Sequence, residues 1–247
     1  MARLETAAQI INDTAIEVGL LPVADPFSSQ DESYQQLVGL LNSAGREMVE
    51  MYPWEILQQP FEILTKLGDT GVYDLPPDFD HMINQTGWNQ TANTPVGGPL
   101  SVQMWAFLQG QDLGTTTLYA SFILNQNKIQ LYPQPPPIDV LLKFYYISRN
   151  WVITGTSQFA ATPTTADRCT GPADIVMYDP ILVVKFLKVK FLAAKGYDIA
   201  VAARDFDMTF QARTGMDRGA PILNVAGGRG YPYLNSWRNV PYTGFGF

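Results

Sequence analysis

The hydrophobic period changes twice along this chain, and those changes limit the folds open to it. Leu4, Ala8, Ile11, Ala15 and Val18 recur every three or four residues, which predicts a helix over residues 4–20. Gly19 and Pro22 mark its end. Ser28 and Ser29 each stand three residues before an acid, Asp31 and Glu32, a capping-box spacing for a second helix. Its stripe is Tyr34, Leu37, Val38, Leu41, Ala44, Met48 and Met51, and Pro53 stops it.

From Trp54 to about residue 174 the helical period is mostly lost. Short runs of β formers stand between turn residues, with strands expected at 55–65, 117–124, 127–132 and 138–149. Asn125-Gln126-Asn127 joins two of them as a hairpin. The run Tyr132-Pro-Gln-Pro-Pro-Pro137 lacks the donors of a central strand and reads as a stiff connection. Residues 140–147 are apolar at nearly every position, as in a strand covered on both faces. A short helix is expected at 101–109.

Helix returns at Asp179-Pro180, an N-cap acid followed by proline at the first helical position. Ile181, Val184, Leu187, Phe191 and Ala194 form its inward stripe, and Gly196 is a natural C-terminal cap. Asp198 caps a further helix to about Thr214, with Ile199, Ala203, Phe206 and Phe210 inward. The short hinge either folds this helix back antiparallel or merely kinks one long helix.

The expected fold is α+β: a bundle of N- and C-terminal helices, a β-rich insertion and an extended C-terminal tail. The expected divisions are 1–53 and 176–215 for the helices, 54–175 for the insertion and 216–247 for the arm. The arm carries Tyr231, Tyr233, Trp237, Tyr242, Phe245 and Phe247, spaced by Gly, Pro and Asn. Rings exposed to water gain nothing, so the arm reads first as a strap that becomes ordered on a partner, with Arg229 and Arg238 as hydrogen-bonding forks; a tail packed on its own chain and a plainly disordered tail are the alternatives.

Chemistry is sparse. The chain has one histidine, His81, and one cysteine, Cys169, so no internal disulfide and no Cys/His zinc site can be built from them. No cofactor or metal is expected, and no catalytic residue is assigned. Asp78, Asp80 and His81 form the one local carboxylate–imidazole cluster, after two prolines where turn and cap roles are ordinary. Gly97-Gly98 and Gly227-Gly228-Arg-Gly230 match neither a phosphate loop nor a dinucleotide fingerprint.

Residues 1–80 hold 14 acidic and 3 basic side chains, net −11, and residues 81–247 hold 9 and 13, net +4, within an overall −7. A strongly basic nucleic-acid footprint is absent. Lys185, Lys188 and Lys190 punctuate the helix that starts after Asp179. They are either solvent-side lysines or inter-subunit contacts to an acidic neighbour. Residues 1–20 carry Glu5, Asp13 and Glu17 and show no signal-peptide core, and no run is long enough to span a membrane. Synthesis in a cytosol, with no membrane partner, is expected.

The opening Glu5-Thr-Ala-Ala-Gln-Ile-Ile-Asn-Asp-Thr-Ala-Ile-Glu-Val-Gly-Leu20 resembles the start of head-to-tail adaptor proteins of short-tailed bacteriophages. Tyr52-Pro-Trp54, Tyr73-Asp-Leu-Pro-Pro-Asp-Phe79, Gly87-Trp-Asn89 and Pro95-Val-Gly-Gly-Pro-Leu100 with Trp105 are similar to the same group, which includes tail tubular and head-completion proteins. The resemblance implies a structural virion protein of the head–tail junction, made in the host cytoplasm. It implies a self-assembled, usually dodecameric ring beneath the portal ring, closing the packaged head and presenting a platform for the tail nozzle protein. It also implies a C-terminal extension reaching into the portal. An acidic wall would suit passage of genomic DNA without specific binding. Some relatives are linked to cell-wall hydrolysis, so a peptidoglycan hydrolase using Glu47, Glu50, Asp78 or Asp80 is the alternative. A DNA-binding packaging factor is a third reading, against which the net negative charge argues.

Overall fold

Thr6 starts the first helix, because its hydroxyl accepts from the Gln9 amide while the Gln9 side chain accepts from the Thr6 amide. The computed structural model describes residues 4–110, 120–157, 160 and 162–217. Helix α1 spans Ala7–Glu17, and α2 spans Glu32–Met51. The capping box thus belongs to α1, not to the serines before α2. Asp31 caps α2, accepting from the Ser33 amide at 2.8 Å, and Ser29 instead accepts from the Asp31 amide. Asp31 is the better cap, since its charged acceptor also meets the positive end of the helix dipole.

A 3₁₀ turn at Glu55–Leu57 leads into β1 (Gln58–Leu64). Then come β2 (Val72–Asp74), β3 (Phe79–Met82), β4 (Trp88–Asn89), β5 (Thr94–Pro95) and α3 (Val102–Gly110). The hairpin is β6 (Ser121–Asn125) and β7 (Lys128–Tyr132), and β8 (Leu141–Ser148) is the long strand. Three short strands, β9 (Val152–Ile153), β10 (Thr165–Ala166) and β11 (Ile175–Val176), precede α4 (Pro180–Lys195) and α5 (Ala200–Asp217). The class is α+β, with every strand pair among the described residues antiparallel.

β8 is the axis of one sheet. β1 pairs with it on one side, and β3 and β4 share the other side, with β5 beyond β4. β2, β7 and β6 form a second sheet, and β10, β9 and β11 a third. The expected hairpin is present: Asn125 pairs with Lys128, and Gln126 and Asn127 both take positive φ, as a two-residue turn matching strand twist requires. The first two sheets meet where Phe122 of β6 packs edge-on against Phe144 of β8, ring centroids 5.0 Å apart. Gly98 makes room there. Its φ is +145°, and a Cβ would lie 2.6 Å from the Phe122 carbonyl oxygen, so only glycine fits. β8 is buried on one face, but Tyr145 stays exposed and Lys143 partly so; full coverage holds only at its Tyr146–Ser148 end.

The second core is helical. Asp179 caps α4 and Pro180 occupies its first turn; Gly196 ends it in the left-handed conformation. The hinge after Gly196 does not carry the helix onward. Phe206 stacks on Phe186 at 4.6 Å and Lys185 reaches Thr209 at 2.8 Å, so α5 folds back antiparallel on α4. α1, α2 and α5 all contact α4. Its buried face is therefore wider than one stripe. Leu182, Val183, Phe186 and Leu187 are buried with Val184 and Phe191, whereas Ile181 and Ala194, expected inward, are exposed. Trp151, Val152 and Cys169 join this same core from the stretch between β8 and β11. The edge of β11 also holds α1 in place: Ala7 donates to the Asp174 carbonyl at 2.7 Å and Val176 to the Glu5 carbonyl at 3.2 Å.

Candidate assembly surface

Tyr52-Pro53-Trp54 comes directly after α2, and its rings fix the far end of α5. The Trp54 indole donates to the Met48 carbonyl at 2.7 Å, which seats the ring against the last turn of α2. Tyr52, Tyr178 and Phe210 meet that ring edge-on, with centroids 4.9, 5.6 and 6.0 Å away. The Tyr52 hydroxyl donates to the Thr214 carbonyl at 3.3 Å, and the Glu55 amide to the Asp217 carboxylate at 3.0 Å. Arg213 lies 3.4 Å from the Asp179 carboxylate. The last turns of α5 are thus tied to the loop after α2 and to the cap of α4.

Three depressions meet at this end. One of about 420 Å³ is lined by Leu4, Trp54, Ile56, Tyr178, Arg213 and Met216, among others. A second, about 460 Å³, runs between α4 and α5 past Ile181, Met208, Arg213 and Met216. A third, about 230 Å³, lies between α1 and the start of α4, with Glu5, Asp13 and Glu17 beside Ile181 and Val184. Ile56, Ile181, Met208 and Met216 are 44, 53, 60 and 67 % exposed. Burial, then the charges of Asp13 and Asp179, push the Glu5 carboxyl above its ordinary range. A separate apolar face is Val102, Met104 and Phe107 on α3, exposed while Trp105 is buried.

The side chains singled out in the sequence fall in different places. Arg229, Tyr231, Tyr233, Trp237, Arg238, Tyr242, Phe245 and Phe247 lie outside the described residues. Lys185 donates to Thr209, Lys188 pairs with Glu17 at 3.1 Å, and Lys190 pairs with Glu47 at 2.6 Å above the Phe186 ring. These lysines hold α4 to α5, α1 and α2 within one chain. All three keep part of their surface in solvent.

The carboxylate–imidazole cluster is pulled apart. Asp78 accepts from the Tyr146 hydroxyl at 3.0 Å and from Ser148 at 2.7 Å, so it faces β8. Asp80 is 2.6 Å from His81 Nδ1, at an exposed position. Glu47 accepts from Ser43 and Lys190. Cys169 is buried, which pushes its thiol well above the ordinary range, and its backbone is bound both ways by Asn42. Among the described residues no group of His, Cys, Asp and Glu could hold a metal ion. No helix there is long and apolar enough to cross a membrane.

The family model described as SU10 adaptor protein matches residues 5–226. The chain belongs to this phage head-to-tail adaptor family. The match runs through every described element, including the Trp54 anchor and the whole of α5. This adaptor is therefore a phage structural protein of an adaptor family. No curated protein sequence matches the chain. The apolar depressions beside α5 carry no signal in the sequence. Met208 and Met216 fall off the stripe expected inward on α5, and Ile181 lies on the open side of α4.

Proposed function

We propose that this adaptor forms the ring between the portal and the tail nozzle, dodecameric as the resemblance implies, closing the packaged head and lining part of the DNA ejection conduit. The observation that carries the reading is the family match over residues 5–226. The anchored end of α5 supports it mechanically. A strap that bears load needs a rigid base, and Trp54, Tyr52 and Arg213 give residue 217 such a base.

In this reading the helices of 1–53 and 176–215 are the body, 54–175 is the insertion facing neighbouring subunits or nozzle, and 216–247 is the arm, whose first two residues still belong to α5. Arg229, Tyr231, Tyr233, Trp237, Arg238, Tyr242, Phe245 and Phe247 are its portal-binding residues. The solvent-facing sides of Lys185, Lys188 and Lys190 remain able to meet acidic groups of the next subunit. Genomic DNA passes without specific binding, since residues 1–80 carry a net −11. Deleting residues 230–247 tests the arm. Portal binding should be lost while the far-UV circular dichroism of the chain stays the same. Undiminished binding by the truncated chain would remove the arm from the account.

A further inference from the structure

Two depressions border α5 and a third lies between α1 and the start of α4, and each shares lining residues with the next. Arg213 and Met216 line the first and second, and Ile181 lines the second and third. Charged and apolar groups line them together, and four of the apolar side chains stand largely open: Ile56, Ile181, Met208 and Met216. The α1 side carries Glu5, Asp13 and Glu17. Large apolar side chains grouped in the open and rimmed by charge mark an interaction surface.

Residues 218–247 have the matching chemistry. They contain Arg218, Arg229 and Arg238, no acidic residue and six aromatic rings. They also begin in the right place, since Asp217 itself lines the first depression. We propose that, before assembly, this C-terminal segment lies along its own chain's groove between α1, α4 and α5, with aromatic rings on Ile181, Met208 and Met216 and arginines toward the acids of α1. Other occupants are weaker on physical grounds. A tethered segment sees its groove at an effective concentration of order millimolar, so its own chain wins over a second copy at ordinary dilution. About twenty extended residues reach about 65 Å, ample for the path.

This docking rests on the arm's role as portal strap at one step only: on assembly the segment exchanges the groove for the partner's surface. Until then the free chain keeps its rings out of water. The same residues thus serve two sites in turn. Binding the partner must outcompete the groove, which delays strap formation until a portal is present.

Paramagnetic broadening in the full chain tests this. A nitroxide on Ser236→Cys, with Cys169 buried and unlabelled, should broaden the resonances of Asp13, Glu17, Ile181 and Met208. Salt at about 1 M should weaken the effect by screening the arginine–carboxylate attraction. Ile181→Glu and Met208→Glu alter exposed positions and should abolish it while leaving the circular dichroism unchanged. Absence of broadening overturns the proposal, as does broadening that survives both substitutions. Mixing labelled unenriched chains with unlabelled isotope-enriched chains separates the sources: broadening seen there means the segment crosses to another copy, which overturns docking within one chain. Portal binding is measured separately. Its loss with broadening intact removes the adaptor reading alone, and the reverse removes this inference alone.

Discussion

Gly45 of α2 and Trp151 touch so closely that a Cβ at residue 45 would lie 2.2 Å from Cε2 and Cζ2 of the indole. The ring is fully buried, stacks on Tyr178 at 6.0 Å and donates to the Asp167 carbonyl at 2.9 Å. Tyr178 in turn donates to the Gly45 carbonyl at 3.1 Å. The indole therefore packs on bare helix backbone and is held there by bonds on both flanks. Gly45→Ala should destabilise the fold by about 1–3 kcal/mol, the cost of overpacking, even though alanine alone would favour the helix by about 1 kcal/mol. Urea denaturation checks both sign and size. Pairing it with Trp151→Phe, which shortens the ring, should recover part of the loss.

Asp174 is buried and accepts from the amides of Gly155, Thr170 and Gly171 at 2.9, 2.7 and 2.9 Å. Burial works to raise its carboxyl, but these bonds outweigh it and hold it below the ordinary aspartate range. Its stabilising contribution is present in full above about pH 4 and is lost as pH falls through the lower folded value. Asp174→Asn should therefore flatten the acid limb of a pH–stability curve. Asp174→Ala should cost about 1–3 kcal/mol at neutral pH, because buried amides lose their acceptor.

Asp78 serves β8. Burial, then the Asp78 hydrogen bond, push the Tyr146 hydroxyl well above the ordinary tyrosine range. Asp78→Asn should lower the pH at which Tyr146 ionises, read by alkaline ultraviolet titration, though burial keeps it above about 10. The hydrolase alternative makes a different forecast for the same residue: clearing of cell-wall gels by the parent chain, abolished in the variant. The structural role assigned to Asp78 forecasts no clearing by either.

Trp54→Ala removes a ring that meets α2, Tyr178 and Phe210 together. It should cost about 3–5 kcal/mol, as large aromatic truncations do. Hydrogen exchange should rise most in the last turns of α5, whose ties to Tyr52 and Glu55 depend on the same loop. Equal acceleration throughout the chain would mean that Trp54 supports the core in general and not α5 in particular.

The elements legible in the sequence are those with local signals. Asp179-Pro180 and Gly196 bracket α4, and Asn125-Gln126-Asn127 turns the hairpin, because cap and turn chemistry acts within a few residues. β4, β5 and β9 to β11 are two residues each and too short to show a period. Thr6–Gln9 carries a capping box in plain view, but the apolar stripe beginning at Leu4 masks it. The stripe on α4 holds at Val184, Leu187 and Phe191 but is too narrow for a tertiary reason: contact with three other helices buries Leu182 and Val183 as well, while Ile181 and Ala194 are left facing out. The groove beside α5 depends on α5 folding back, which no spacing along the chain specifies.

Mixing the full-length chain with assembled portal rings tests the central claim most directly. The account predicts a complex that elutes ahead of the portal alone, with a second ring visible beneath it by electron microscopy. Separate elution of chain and portal at concentrations where both are folded would contradict the adaptor assignment.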